Sequence, residues 1–568
     1  MEKRALIAAV LSIAVLVIWQ FFFALPVPAP GAPVTTTAES SRPPAVPGAT
    51  VPPAATEGAS APIAAAAKEE FRLITATQDI RMTNEGGRIT WWRLKKYTVE
   101  KDIPVDLIPE QARAAGFLPL QIEVANEPEL TRTLATALHV HEMTDIPAYD
   151  RSGLGPGKRI AFTYADGRGL VVKKSLDVPE DGYLGRLSFE ITRDGKPLAA
   201  TIISASGLTE QLGEEAGFNG QVEGEAVLHD GSEVLRMPAA KVAEMRVYSA
   251  SNGTPLRWGG LESTYFASLL LPPEGDRELA VTLTPRHTAP PTDGRKVTPL
   301  ITAGASATGG GVYRIFVGPK DYALLHSLGH ELDRVIDFSR ISLIYVCTKY
   351  LFLALTWLNG YVGNYGWSII ILTFVVRLVF FPIMYRSSIT MRQTSKKMTK
   401  IQPRVKSIQE RYRKMKKSME TNRQMNEEVM ALYKKEGVNP MANLRGCLPL
   451  LLQMPIFIGF YNMLAVTIEM RQAPFMLWLH DLSRRDPYYV TPVLMGASWV
   501  LQQLMTSSSI PDPMQRKMMM LMPIIFTFFM MNMPSGLVIY WLTSNVLGMA
   551  QQFLTNKRAD QLDAEAKA

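Results

Sequence analysis

The run Ile369-Ile370-Ile371-Leu372-Thr373-Phe374-Val375-Val376-Arg377-Leu378-Val379-Phe380-Phe381-Pro382 decides how this chain is to be read. It is too apolar for the face of a water-soluble helix, yet it carries one full charge near its middle. An arginine well inside such a span costs on the order of 3 kcal/mol even by lenient insertion scales. A side chain of this kind faces a watery cavity or a partner. The competing reading is that it snorkels towards the end of the helix, since Arg386 lies only about two and a half turns further on. We take the cavity reading, because a snorkelling anchor has no need of such depth. No acidic residue lies inside another apolar run to pair with Arg377, and Glu469 sits at the outer edge of its own. An unpaired positive charge in a cavity attracts acidic residues on whatever passes through it.

Outward from this run, further apolar stretches lie at about 447–468, 488–506, 518–533 and 536–555, and the first extends over about 363–384. Each approaches the ~20 residues of a membrane helix. The last two are separated only by the turn Asn532-Met533-Pro534-Ser535-Gly536. The apolar segment at 341–358 is ambiguous and could lie flat on the outer surface. At the other end, Lys3 and Arg4 precede an apolar run from Ala5 to Leu25. It is long for a cleavable signal, and Ala24-Leu25-Pro26 is a poor cleavage site, so residues 1–25 read as an uncleaved anchor with a cytoplasmic N-terminus. Six spans then return the tail at 557–568 to the cytoplasm. Charge supports this order: between Arg386 and Arg445 lie sixteen Lys or Arg against five Glu, the excess expected of a cytoplasmic loop.

The remainder reads as water-soluble. Residues 26–68 are a Pro/Ala-rich linker that cannot bury enough surface to offset its ordering entropy. Residues 69–318 alternate in short strands punctuated by Gly, Asp and Pro, which suggests one large β-sandwich facing the periplasm. Residues 319–340 turn amphipathic, with Leu325, Leu328, Leu332, Val335 and Ile336 opposite Lys320, Asp321, Glu331 and Arg334, as in a helix lying in the membrane interface. The expected fold is thus a polytopic α-helical membrane protein of six transmembrane helices, five of them forming a core at 341–556. A periplasmic β-sandwich and a cytoplasmic helical hairpin at 386–440 complete it. The net charge of +8 would suit nucleic acid, but its position points to the membrane and gives no reason to expect DNA. Cys347 and Cys447 fall near opposite faces of the bilayer and cannot pair.

Polar residues within the spans, namely Thr373, Gln453, Asn462, Gln502, Gln503, Thr543, Ser544 and Asn545, fit a wet bundle interior and equally fit helix–helix hydrogen bonding. In the loop, Met398, Ile401, Val405, Ile408, Tyr412 and Met415 form a heptad seam that Met425, Val429 and Leu432 continue on a second arm. Its outer charges, Lys396, Lys397, Lys400, Arg404, Lys406, Arg411, Arg413 and Lys414, suit ribosomal RNA, lipid headgroups or acidic proteins, or simply solvent. Of the 28 methionines, 23 lie beyond Pro382, where soft side chains suit varied apolar partners or plain lipid. Glu210, Glu214, Glu215, Glu223, Glu225 and Asp230 read as a solvated acidic loop rather than a glycosidase pair. His326 and His330 lack a third zinc ligand, and no phosphate-binding glycine loop occurs, so no metal, ATP or other cofactor is expected.

Several fixed motifs then resemble the YidC/Oxa/Alb membrane insertase family. They are Val438-Asn439-Pro440, Gly446-Cys447-Leu448-Pro449, Gln453-Met454-Pro455-Ile456-Phe457, Arg471-Gln472-Ala473-Pro474-Phe475 and Asp486-Pro487-Tyr488-Tyr489. Asp512-Pro513-Met514-Gln515 and Pro534-Ser535-Gly536-Leu537-Val538-Ile539-Tyr540-Trp541 with Ser544-Asn545 complete the set. The long soluble domain resembles the Gram-negative branch, and Met441-Ala442-Asn443-Leu444-Arg445 is longer than the family's usual passage there. The resemblance implies an inner-membrane insertase and chaperone, not an enzyme, whose partners are nascent membrane proteins, lipids, the Sec translocon, the ribosome and the signal recognition particle pathway. It implies a hydrophilic groove around Arg377 and a substrate-contacting aromatic region at Tyr540 and Trp541. Rival readings are a secondary transporter, which would show inverted repeats and several midplane charges, and a membrane-anchored sugar-binding protein.

Overall fold

Alternation of apolar and polar residues along the middle of the chain is realised as antiparallel sheets. The computed structural model describes residues 61–99, 102–147, 155–210, 224–244, 248–250, 256–272, 279–286, 300–414, 419–436, 448–507 and 513–565. The expected anchor at 1–25, the linker up to residue 60, Cys447 and the stretch Met441–Arg445 lie outside them. The linker gives way to structure earlier than expected, since Ile63 already pairs with Ala165.

The largest sheet runs from edge to edge through Val234–Met237, Glu225–His229, Trp258–Glu262, Phe266–Leu271, Gly310–Pro319, Leu184–Arg193, Leu170–Pro179, Gly157–Ala165 and Val140–Ile146. A second holds Tyr248–Ala250, Val281–Arg286, Leu300–Thr308, Ala199–Ser206 and Ile122–Val124. These two pack face to face, and Trp258, Leu261, Leu269, Leu283, Ala303 and Ala305 are fully buried. A smaller sheet of Glu70–Ile74, Gln78–Thr83, Arg88–Thr98 and Pro104–Asp106 stands beside them. Buried charges, Lys174, Asp177 and Glu262 among them, break the inward apolar pattern. Lys174 is buried, and its ammonium donates to Gly86 O and Leu120 O, both at 2.6 Å. Burial pushes its pKa well down, and Arg88 adds to the effect.

The connector does not form the single interfacial helix expected over 319–340. Its pieces are α1 (Tyr322–Leu328), capped by the Asp321 carboxylate, and a 3-10 turn at Leu332–Val335. Between them Gly329, His330 and Glu331 adopt φ of 73°, 52° and 58°, which ends the helix. Of the polar residues assigned to a solvent face, Lys320, Glu331 and Arg334 are instead bound to the β domain. Lys320 pairs with Glu262 at 3.0 Å, both side chains about 4% exposed or less. Arg236 donates to Glu262 at 2.8 Å and to Val335 O at 2.8 Å.

The helical part comprises α2 (Ser342–Val362), α3 (Tyr365–Arg413), α4 (Met419–Lys435), α5 (Leu448–Val466), α6 (Val490–Ser507), α7 (Pro513–Met530) and α8 (Ser535–Glu565). On α2, Phe352 and Leu355 are buried, while Leu343, Val346, Tyr350, Trp357 and Tyr361 are exposed on the opposite face. Asn364 caps α3, and its amide holds Pro474 O and Phe475 O. At 49 residues α3 is about 73 Å long, more than twice a bilayer's hydrocarbon thickness. It passes through Pro382 and Pro403 without ending. Its far arm and α4 form the hairpin. Ile401, Val405 and Val429 are buried on the seam, and ion pairs join Arg404 to Glu436 at 2.6 Å and Arg411 to Glu428. Among the described residues two segments, Ser342–Val362 and Tyr365–Ile389, are long and apolar enough to cross a membrane. Gln453–Val466 and Met520–Met530 are shorter apolar helices.

The two parts meet at the loop after α5. Arg471 and Gln472 both donate to Thr98 O at 2.9 Å, and the Arg471 guanidinium lies 5.6 Å from the rings of Tyr265 and Phe266. Beside them the Glu469 carboxylate accepts the Tyr322 N–H at 3.1 Å, while its second oxygen is enclosed without a partner. Burial first, and nearby Asp321 in addition, push the Glu469 carboxyl up to about 7. A carboxyl raised in the folded state favours folding while protonated, and that contribution is lost as pH rises from about 4.5 to about 7. The thermal unfolding midpoint in detergent should therefore fall between pH 5 and pH 8. Glu469→Gln should flatten that fall and raise the midpoint at pH 8.

Candidate functional site

α8 packs along both α3 and α6, and the side chains between these three helices form the candidate groove. Arg377 projects from α3 and donates to Ser544 Oγ of α8 through Nε at 3.0 Å and Nη2 at 2.5 Å. A hydroxyl holds the guanidinium without cancelling its charge. Among the described residues no carboxylate pairs with Arg377, whose partner is the Ser544 hydroxyl. Gln502 of α6 approaches the same place.

The other expected site residues divide. The Gln453 amide donates to the Tyr540 hydroxyl, which links α5 to α8 next to the Arg377 layer. Tyr540 is 1% exposed and stacks on Phe460 at 4.3 Å, so it offers no surface to a client in this state. Trp541 keeps partial exposure. It belongs to an aromatic cluster with Phe457 and Phe526, both at 4.9 Å, and Trp499 at 5.8 Å. Thr373 lies one turn before Arg377, but it is buried and its hydroxyl donates to Ile369 O of its own helix. Asn462 does not face the groove at all, because its amide donates to Phe338 O of the connector at 2.9 Å. Asn545 binds Ser498 Oγ at 2.9 Å and joins α8 to α6. The hairpin cations Lys396, Lys397, Lys400, Arg404, Lys406, Arg411, Arg413 and Lys414 are all exposed.

Elsewhere, Glu210 and Glu225 are buried rather than solvated. Glu210 accepts the Tyr265 N–H at 2.6 Å, and Glu225 lies within a strand. His326 stacks on Tyr322 while His330 accepts from Arg314 at 2.9 Å, so the two rings do not converge. Sequence reasoning named Arg471 only within a family motif, without a role, and passed over Trp499 and Phe526. The aromatic pair had a signal, since Trp499 and Phe526 each sit within an apolar run. The motif gave no sign of what Arg471 binds, because its partners lie in the distant β domain.

The helical part matches the family described as 60Kd inner membrane protein over residues 357–562, and the β-rich part matches the YidC periplasmic domain over residues 71–354. The chain is therefore an inner-membrane protein with a periplasmic domain. It is 32% identical over 576 residues, covering 100% of both chains, to the membrane protein insertase YidC of Geobacter metallireducens. To that of Citrifermentans bemidjiense it is 34% identical over 571 residues, covering 98% of this chain and 99% of the relative. The chain belongs to the YidC family of membrane protein insertases; its substrates are nascent membrane proteins, and it is not an enzyme. A solved structure titled as an active YidC insertase with its first transmembrane domain resolved is 16% identical over 87% of this chain and 94% of that one, with a TM-score of 0.35. That score is too low to bear on the fold.

Tyr540→Phe should leave the Gln453 amide without its partner and cost about 1–3 kcal/mol. Tyr540→Ala, which also removes the ring packed on Phe460, should cost about 3–5 kcal/mol. Thermal unfolding in detergent should rank wild type above Phe and Phe above Ala.

Proposed function

We propose that the insertase moves the polar tail of a client across the membrane by offering it Arg377 as a counter-charge within the bilayer. One observation carries this reading: the guanidinium is held by the Ser544 hydroxyl and by no carboxylate among the described residues, so its charge remains available. Moving an acidic tail across lipid unaided is prohibitive, and an internal cation inside a hydrophilic groove lowers that barrier. The client's apolar segment then leaves past α5 and α7 into lipid, driven by the burial of ~20 apolar residues. Trp541, partly exposed at this boundary, is the aromatic residue that such a segment meets.

The topology belongs to the same proposal. The six spans are the N-terminal anchor, α3 up to about Ile389, α5, α6, α7 and the first part of α8, with both termini and the hairpin in the cytoplasm. α2, exposed along one apolar face and tied between the β domain and α3, lies on the periplasmic surface. The excess of sixteen basic over five acidic residues between Arg386 and Arg445 supports this orientation. The exposed hairpin cations suit the ribosome or anionic lipid, and work beside the Sec translocon and the signal recognition particle pathway is part of the reading.

The test is insertion of a small client with an acidic outer tail in cells depleted of the native protein. Arg377→Ala should lower insertion by about tenfold or more, the equivalent of ~1.4 kcal/mol. Arg377→Lys keeps the charge but loses the two-pronged hold on Ser544, and should restore most of the activity. Normal insertion with Ala would overturn the role of the charge.

A further inference from the structure

The smallest sheet of the periplasmic domain carries an excess of positive charge on its outer face. Ile80, Met82, Trp92 and Leu94 point inwards and are buried. The alternate positions Asp79, Arg81, Trp91 and Arg93 therefore share the opposite face. Arg81 and Trp91 are direct cross-strand partners, and Arg72 stands opposite Arg81 on the other side. Three guanidiniums gather on the Trp91 ring: those of Arg113, Arg93 and Arg81 lie 3.9, 4.5 and 5.8 Å from its centroid. Two carboxylates lie beside them, and both are taken. Asp79, which faces Arg93 across the strands, holds Arg72 at 2.5 Å. Asp106, which faces Arg93 from the next strand, holds Arg113 at 2.6 Å and accepts the Trp92 and Ile108 N–H groups. Four guanidiniums thus meet two carboxylates, which leaves two charges uncancelled.

Arg81 and Arg93 carry those two charges. Among the described residues no carboxylate or hydrogen-bond acceptor reaches either, and the Nε of each is enclosed. The indole relieves them in part, since a cation over an exposed aromatic face gains about 0.5–1 kcal/mol. Like charges gathered on one ring still repel, and an anion from outside relieves the repulsion. The spacing selects the anion. Arg81 and Arg93 are diagonal neighbours on adjacent strands, with backbones about 7–8 Å apart. An extended chain rises ~3.3 Å per residue, so its side chains at i and i+2 recur at about 7 Å on one face. We propose that Arg81, Trp91 and Arg93 form a binding site for an extended acidic polypeptide segment, the outer tail of a client, with carboxylates at alternate positions on the two guanidiniums. Guanidinium and carboxylate match as planar forks, and such charge-assisted bonds are the strong ones. An insertase delivers outer tails to the side of the membrane on which this domain stands. The strand that carries Trp91 and Arg93 ends at Thr98, whose carbonyl is held by Arg471 and Gln472 of the loop after α5. The site is thereby tied to the helical part from which a tail emerges. It goes beyond the counter-charge reading and does not depend on Arg377.

The experiment titrates the full chain in detergent with short dye-labelled peptides at low salt and reads fluorescence anisotropy. One peptide alternates Asp with Ser, a second alternates Asn with Ser, and a third carries the same number of Asp at every third position. The wild type should bind the first, bind the third more weakly and leave the second unbound. Arg81→Gln and Arg93→Gln should each weaken the first by about tenfold, and the double variant should abolish its advantage over the second. Arg93→Lys keeps the charge without the fork and should lose less than Arg93→Gln. Arg377→Ala should bind as wild type does. Unfolding midpoints of the variants, measured alongside, show whether the sheet is intact. Should the glutamine variants unfold early, the lysine variant and the three peptides on wild type decide the matter. Equal binding of the Asp and Asn peptides by wild type would overturn the site and leave the arginines as packing for Trp91. Undiminished binding in the double variant, or its loss in Arg377→Ala alone, would place the peptide elsewhere and overturn it as well. Displacement of the Asp peptide by inorganic phosphate, at a concentration at which acetate displaces none, would make this a phosphate site and overturn the polypeptide assignment.

Discussion

The helices around the candidate groove are arranged around the cost of holding one guanidinium half out of water. A carboxylate partner would relieve that cost but cancel the charge, and a fully apolar surround would raise it beyond what the fold tolerates. Ser544 is the intermediate answer, a neutral acceptor that orients Arg377 through two N–H groups and leaves its field intact. The pairs Gln453–Tyr540 and Asn545–Ser498 fix α8 against α5 and α6, which holds the acceptor in place. The polar residues of the bundle thus serve the position of α8 more than they line an open channel.

The periplasmic domain is fastened as firmly as the groove is held. Glu262 is nearly inaccessible and receives both Lys320 and Arg236, so the connector leaves the sandwich already clamped. Arg471 and Gln472 add a second attachment from the loop after α5. Buried pairs of this type are costly to break one partner at a time, because the survivor is stranded without water.

Much of this was legible in the sequence. Long apolar runs give helices whose residues are satisfied within the segment, so α3, α5, α6, α7 and α8 follow from hydropathy alone, and the hairpin seam follows from spacing. Arg377 stood out because nothing else in its run is charged. Several misread residues have distant backbone atoms as partners: Asn462 reaches Phe338 O, Glu210 accepts the Tyr265 N–H, and Arg334 of the connector reaches Ser232 O. A hydrogen bond to a remote backbone group leaves no periodic trace, so no pattern reveals it. The connector looked like one helix because its apolar residues keep helical spacing. The left-handed backbone at Gly329–Glu331, required for the chain to turn back on the β domain, interrupts it.

The continuity of α3 has a mechanical side. A helix bends little over its length, so an unbroken rod from Asn364 to Arg413 behaves as a strut. A push or twist applied at the hairpin is carried along it only as far as the rod stays stiff. Each internal proline removes one backbone hydrogen bond and so marks a place of lower stiffness. Pro382 comes little more than one turn after Arg377, so any flexing of the strut is concentrated beside the charge, and load on the hairpin tilts the guanidinium rather than the outer loop.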